Sequence, residues 1–434
     1  MMNRRFLLLM VLLVSAAGGR AQNTAPTQLT LKDAEALALK NHPQVLAAQA
    51  TALEYNQHVV EARSAYFPTV DGEVTGSGGN PQARIGAGYL AASRLFDRLG
   101  AGILLSQLVT DSGRTPNLVA SSRLDAQATQ QTYQATRYDV LLAVNQAYFG
   151  LLRAQALVKV AQQTVAARQI LSDQVTELAK NKLRSDVDVA FADVNLSEAK
   201  LLLLRSQDQV RAAFAELTRA LGSQTEENYK LADEPLPPSP ALEPDSLVAQ
   251  AFANRPDLLS LQLQYKSAVR FEHAERDLSF PTVSIVGTGG AIPEMYQILS
   301  TPVPNYYEGA ALNVEVPIFN GRLFTARREA ARYHAQADDQ RVRDLQERIA
   351  RDVRVAWSSS KTAYQNIDVT AEMLREASLA LDLAQGRYNL GLSSIVELTQ
   401  AQLNLTQAEI ENLNAKYDYQ SIYAMLQYTM GLLR

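Results

Sequence analysis

No cysteine occurs among the 434 residues, which excludes disulfides and thiolate metal sites and leaves an oxidising compartment without consequence for folding. Beyond Val14 no apolar run approaches twenty residues, so no transmembrane helix is expected in the mature chain. Basic clusters are missing as well, and the formal charge of −4 argues against nucleic acid as a partner. His42, His58, His273 and His334 are the four histidines, and they lack ligand spacing, so neither a metal nor another cofactor is expected. The sequence also lacks a convergent nucleophile, base and acid, so the chain is not expected to be an enzyme. Two broad classes survive: a soluble periplasmic or secreted protein, and a protein that crosses a membrane as β-strands, whose signal in sequence is weak.

What is there begins with a secretory signal. Arg4 and Arg5 precede the apolar run Phe6 to Val14, small residues follow, and Gly19-Arg20-Ala21 stands before Gln22. Residues 1–21 are therefore read as a signal peptide; the alternative is a buried N-terminal core helix. Removing Arg4, Arg5 and Arg20 takes the formal charge from −4 to −7. With no cysteine after the cleavage site, a lipidated N-terminus is not expected.

The chain then repeats itself. "FPTV" at Phe67 returns at Phe280, and "NHPQVL" at Asn41 matches "NRPDLL" at Asn254, both 213 residues on. Downstream, "VNQAYF" at Val144 matches "VRVAWS" at Val353, and "VNLSEA" at Val194 matches "LNLTQA" at Leu403, both at an offset of 209. Two copies of one unit follow, at residues 22–222 and 245–434, joined by a connector over residues 223–244 with Pro235, Pro237, Pro238, Pro240 and Pro244.

In each copy the periodicity predicts an opening helix, Leu31 to Arg63 in the first, with Thr30 as its N-cap. A strand pair follows, "TVDGEVTGSGG" with "AGILLSQLVT", and in the second copy "TVSIVGTGG" with "YYEGAALNVEVPIF". "GTGGAIP" from Gly287 has the glycines of a dinucleotide loop, but Pro293 follows and no helix opens there. It and "GSGGNP" from Gly76 read as barrel loops. A long helix runs next from Pro116 to about Asn181, roughly 100 Å at 1.5 Å per residue, and a shorter one returns from Asp186 to Leu221. Stacked end to end on the returning helix, the opening helix makes up the long helix's length. Val189, Leu196, Leu203, Val210 and Leu217 form a large heptad row on the returning helix, and Ala192, Ala199, Ser206, Ala213 and Ala220 a small one. Ala401, Ala408 and Ala415 repeat the small row, and Ala147, Ala154 and Ala161 supply one in the long helix. Two seams suit a curved wall of helices; the alternative is an ordinary long coiled coil rich in alanine. Trp357 matches Tyr148 across the copies and reads as a packing residue.

Four strands do not close a barrel, because an open edge is not tolerated in lipid. Several chains are needed, and three give twelve strands and twelve helical columns. The expected fold is mainly α with membrane β-strands: internally duplicated, with long helical hairpins and four strands per chain, a trimeric 12-stranded β-barrel continued by a 12-helix α-barrel.

The duplication, the helix-ending "AYFPTV" and "LSFPTV", "VPIFNGR" before the second long helix, and "RYNLGLSSIVELTQAQLNLTQAE" at the second helical turn together resemble the TolC family of outer-membrane efflux channels, from Leu29 to Leu433. That resemblance implies a homotrimer with its β-barrel in outer-membrane lipid and its α-barrel across the periplasm. It implies two partners, a periplasmic adaptor of the membrane-fusion type and an inner-membrane transporter, in an efflux or type I secretion system. Adaptor docking then falls on the two helical tips, Lys182, Leu183, Arg184 and Ser185 with Gly391, Leu392, Ser393 and Ser394. Lys182 stands where the family usually has glycine. Gate residues carried over are Asp188, Tyr388 and Glu397, with Asp188 and Tyr388 at positions that bond in the resting state. Gln400 replaces a second acidic residue. The other reading of these residues is solvated polar groups of helical turns and a packing tyrosine. The rival function is a periplasmic coiled-coil scaffold or adaptor without a membrane barrel.

Overall fold

The computed structural model describes residues 27–78, 98–223, 229–240, 243–295 and 306–433. The expected signal segment, residues 1–21, lies outside them, as does most of the irregular span inside each strand pair. In chain order the first half comprises β1 (Thr27–Leu29), α1 (Leu31–Asn41), α2 (Pro43–Ser64), β2 (Thr69–Ser77), β3 (Arg98–Thr110), α3 (Arg114–Lys180) and α4 (Asp186–Ala220). After β4 (Tyr229–Leu231) the second half comprises α5 (Pro244–Asn254), α6 (Pro256–Asp277), β5 (Thr282–Met295), β6 (Tyr306–Glu315), α7 (Leu323–Asn389) and α8 (Ile395–Thr429). Corresponding helices of the two halves have equal lengths of 11, 22, 67 and 35 residues, so the duplication holds at the level of whole elements.

The opening helix differs from expectation: it is two helices, broken at His42. Pro43 has no N–H and disfavours helical backbone in the residue before it. His42 is accordingly extended (φ −68°, ψ 124°), and its Nδ1 accepts from the N–H of Gln44 at 3.3 Å. Arg255 before Pro256 repeats the break (φ −71°, ψ 117°). Thr30 caps α1 as expected, accepting from Asp33 N–H at 3.2 Å.

Each break receives the end of a returning helix. Gly222, just past α4, is left-handed (φ +71°), and a Cβ there would lie 2.6 Å from His42 Cα. Gly431, past α8, repeats the arrangement (φ +70°), with Asn254 C at 2.9 Å. The end-to-end stacking inferred from helix lengths is thus present in both halves.

Side by side, the helices form one layer, α2–α3–α6–α7 near the strands and α4–α3–α8–α7 toward the tips. The small rows are the more deeply buried ones: Ala147, Ala154, Ala161, Ala192, Ala199, Ser206, Ala220, Ala401 and Ala408 are buried, and Ala213 and Ala415 are half-buried. In the large row Leu196 and Leu217 are buried, while Val189, Leu203 and Val210 are half-buried. A third row was not anticipated. Val187, Phe191, Val194, Leu201 and Leu204 are exposed along α4, as are Val369, Met373, Leu379 and Leu383 along α7 and Leu390 just past its end. These helices are the two edges of the layer, and each leaves an apolar stripe without a partner.

β1 and β4 pair in parallel at the waist, Thr27 opposite Tyr229 and Leu29 opposite Leu231. Tyr148 of α3, fully buried, fixes this pair. Its hydroxyl sits 2.9 Å from the Leu29 carbonyl and 2.7 Å from that of Ala232, and burial pushes its pKa up to about 12. The Pro-rich connector then crosses α8, where Tyr419 donates to Pro238 O at 2.7 Å and Gln420 to Glu234 O at 2.9 Å.

The other four strands form one antiparallel sheet in the order β2-β3-β5-β6. Gly287 to Pro293 belongs to β5 rather than to a loop, which corrects the reading of "GTGGAIP". The glycines are needed for side-chain space across the strands. Gly102 and Gly290 are cross-strand partners, Gly290 is also paired with Tyr307, and a Cβ on Gly290 would lie 2.6 Å from Tyr307 Oη. Alternation and register separate the two faces of the sheet. One is mainly apolar, with Val70, Val74, Ile103, Leu105, Ile285, Leu312 and Val314 beside Gln107 and Glu308; the other is mainly polar, with Asp71, Glu73, Thr75, Ser106, Ser284, Thr288, Asn313 and Glu315 beside Leu104, Leu108 and Val286.

Candidate functional site

Far from the strands, the chain turns twice, between α3 and α4 and between α7 and α8. Both turns end their long helix with the same hydrogen bonds. Leu183 N–H returns to Leu178 O at 2.9 Å and Lys182 N–H to Ala179 O at 2.8 Å; Leu392 returns to Arg387 O at 2.8 Å and Gly391 to Tyr388 O at 3.0 Å. This cap requires a left-handed residue just beyond the helix. Gly391 supplies it at φ +73° without strain, and Lys182 supplies it at φ +57° with strain.

Serines restart the chain. Ser185 Oγ accepts from Asp188 N–H at 3.3 Å and Asp188 Oδ2 accepts from Ser185 N–H at 3.2 Å, a reciprocal capping box. Ser394 caps α8 by accepting from Glu397 N–H at 3.4 Å. Glu397 does not reach back; its carboxylate takes a hydrogen bond from Arg387 Nε at 3.0 Å. Gln400, also exposed, donates to Asn404 at 2.9 Å.

Beneath the turns the two hairpins meet in an apolar cluster of Leu171, Val175, Ala192, Ala384, Tyr388, Ile395, Leu398 and Ala401. Tyr388 is 1% exposed, and the Arg184 guanidinium carbon stands 4.3 Å from its ring centroid. Arg184 Nη2 also donates to the Tyr388 carbonyl at 3.1 Å, so one side chain ties the first tip to the end of α7. Burial raises the phenol's pKa, with Arg184 opposing and Asp188 adding to the shift. The structure therefore brings Asp188 and Tyr388 into electrostatic range without joining them. Among the described residues Tyr388 Oη has no hydrogen-bond partner, nor do the buried Ser393 Oγ and Thr399 Oγ1. Leu183 and Leu392, by contrast, are 68% and 65% exposed, and Lys182, Ser185, Gly391, Ser394 and Glu397 are exposed beside them.

Two contributors went unread in the sequence. Arg184 stood among candidate docking residues, with nothing local to mark it as a clasp. Arg168 of α3 is 4% exposed and donates to Gln402 of α8, binding the hairpins to each other, while its burial lowers the guanidinium pKa. A signal existed there: Arg168 continues the small heptad row Ala147, Ala154, Ala161, where a charge is out of pattern. Among the described residues, no helix is long and apolar enough to cross a membrane, and no group of three or more His, Asp or Glu is placed to hold a metal ion.

The outer membrane efflux protein family profile matches residues 36–223 and 247–432, one match per repeat. Outer membrane efflux protein BepC of Brucella suis biovar 1 (strain 1330) is 24% identical over 413 residues, spanning 92% of this chain and 85% of BepC. Outer membrane protein TolC of Escherichia coli (strain K12) is 22% identical over 362 residues, covering 78% of this chain and 72% of TolC. Among solved structures, the Campylobacter jejuni CmeC outer membrane channel superposes with a TM-score of 0.77 at 17% identity, over 92% of this chain and 85% of that one.

Proposed function

The chain belongs to the outer membrane efflux protein family, and from that premise we propose that three copies assemble into one continuous conduit served by a periplasmic adaptor and an inner-membrane transporter. As a member of that family it is an outer-membrane efflux channel. The observation that carries the trimeric reading is a matched pair of open edges. The sheet ends at β2 and β6 with unpaired backbone, and the helical layer ends at α4 and α7 with apolar stripes. Unpaired strand edges are intolerable in lipid, and head-to-tail closure of three chains satisfies both sets at once. The apolar sheet face then meets lipid and the polar face lines water. The helical part extends about 100 Å at 1.5 Å per residue of α3 or α7.

Conduction in this reading involves no chemistry: a water-filled tube spares the cargo a membrane crossing, and energy comes from the transporter. The resting mouth closes at the tips, where Asp188, Tyr388 and Glu397 stand. The exposed leucines and polar groups of Lys182 to Ser185 and Gly391 to Ser394 receive the adaptor. A periplasmic scaffold without a barrel leaves the two-faced sheet unexplained.

Cell fractionation with planar-bilayer recording tests the function. The chain is expected in the outer-membrane fraction, and the purified protein is expected to give discrete, water-filled channels. Release with the periplasm and an absence of unitary currents would refute it.

A further inference from the structure

Four long helices end in left-handed caps, at Lys182, Gly222, Gly391 and Gly431, with φ between +57° and +73°. Three hold glycine, the residue that adopts this backbone freely, and one holds lysine. The comparison is internal, because Lys182 and Gly391 occupy the same place in the two copies and close the same pair of hydrogen bonds. Strain kept at an exposed turn points to a use for the side chain outside the fold.

Most other charges of the two tips are committed within the fold. Lys180 pairs with Glu177 at 2.7 Å, Arg387 with Glu397 at 3.0 Å, and Arg184 lies on the Tyr388 ring. Asp188 is engaged in the capping box, and Asp186, also in the first turn of α4, forms no ion pair among the described residues. Among the described residues Arg184 also lacks an anionic partner but is held by the Tyr388 ring and carbonyl, whereas the Lys182 amine makes no ion pair, ring contact or hydrogen bond. Leu183 beside it is 68% exposed, and Leu390 and Leu392 on the second tip are 76% and 65% exposed, apolar surface suited to helix side chains.

Resting on the docking reading above, we propose that Lys182 is a specificity-determining residue of the first tip. It selects an adaptor whose helical-hairpin turn carries an Asp or Glu, held by the lysine while the leucines pack the hairpin's apolar flank. The second tip, with Gly391 in that place, makes the apolar contact without the charge. The two tips of one chain are therefore not equivalent to the adaptor.

The absence of cysteine makes the test clean. In whole cells Leu183→Cys with a thiol-reactive crosslinker identifies the protein at the tip, and a water-soluble carbodiimide joins the Lys182 amine only to a carboxylate in direct contact. Expected is an amide between Lys182 and an Asp or Glu in the hairpin turn of that same protein, absent in Lys182→Arg. Lys182→Gly should raise the thermal midpoint by relieving the cap while weakening adaptor binding about two- to fivefold, as loss of an exposed pair does. Lys182→Glu should weaken it further and recover when the partner's carboxylate is changed to lysine. If Leu183→Cys captures an adaptor but no carbodiimide product forms and Lys182→Gly binds it normally, the lysine is idle and docking stands. If Leu183→Cys captures no envelope protein from channels that conduct, docking itself fails and this inference with it.

Discussion

At Tyr388 the phenol oxygen has no hydrogen-bond partner among the described residues, while the ring lies under Arg184 at 4.3 Å. Within one chain the contact formed is a clasp of the ring and the guanidinium, and no bond joins Tyr388 to Asp188 there. A buried hydroxyl without a partner costs about 1–3 kcal/mol, so Tyr388→Phe should leave stability unchanged or slightly raised. Single-channel conductance should also stay at the wild-type level in that variant, because the ring remains. Arg184→Ala removes the cation and its bond to the Tyr388 carbonyl. It should cost about 0.5–2 kcal/mol locally and open the mouth, seen as a higher unitary conductance in planar bilayers. A conductance increase in Tyr388→Phe with none in Arg184→Ala would return the latch to the hydroxyl.

Where the returning helices end on the proline breaks, the fold has little slack. Gly222→Ala places a Cβ 2.6 Å from His42 Cα in a left-handed residue, so the thermal midpoint should fall by several degrees, equivalent to about 1–3 kcal/mol. His42 adds a pH dependence. Its folded-state pKa is lowered, chiefly by burial and then by Arg219, so between that value and the unfolded 6.5 the unfolded chain holds the extra proton. Stability from this group is complete above about pH 6.5 and is lost as pH falls through the folded pKa. Glu35 and Asp125, whose carboxyls are raised mainly by burial, act in the opposite sense, so the comparison is between wild type and His42→Asn. Asparagine keeps a capping oxygen without a titrating group, and the difference in midpoint between the two proteins should shrink as pH drops below 6.5. The break itself was poorly legible. Apolar spacing runs through His42-Pro43 without interruption, and only the rule about residues before proline marks it. The helices flanking the first tip were legible to within two residues, Pro116 to about Asn181 against Arg114–Lys180 and Asp186 to Leu221 against Asp186–Ala220, because periodicity is lost between them. The β1–β4 pair was not, since three residues are too few to show alternation.

For the whole molecule the sequence carried the duplication and the strand pairs, because each depends on spacing over many residues. It did not carry the exposed rows on α4 and α7, whose apolar residues look like any other core row until the burial of their neighbours is known. The sheet faces make a testable division. Ile103→Arg on the apolar face should cost about 2–4 kcal/mol in lipid and reduce the amount of assembled protein, while Glu73→Gln on the polar face should leave assembly intact. Heat-resistant oligomer on gels reads both.

Closure by three chains is tested most directly at the seam between α4 and α7. Phe191 lies five residues from the start of α4 and Leu383 six from the end of α7, so the two exposed side chains stand at the same height above the tips. In a protein without cysteine, Phe191→Cys combined with Leu383→Cys supplies one thiol to each face of the seam. Oxidation in the membrane should give a ladder of one, two and three linked chains that stops at three, with either single variant giving no ladder. A chain that remains monomeric after oxidation while retaining its β-sheet signal, or a ladder that runs past three, would contradict the closed trimer.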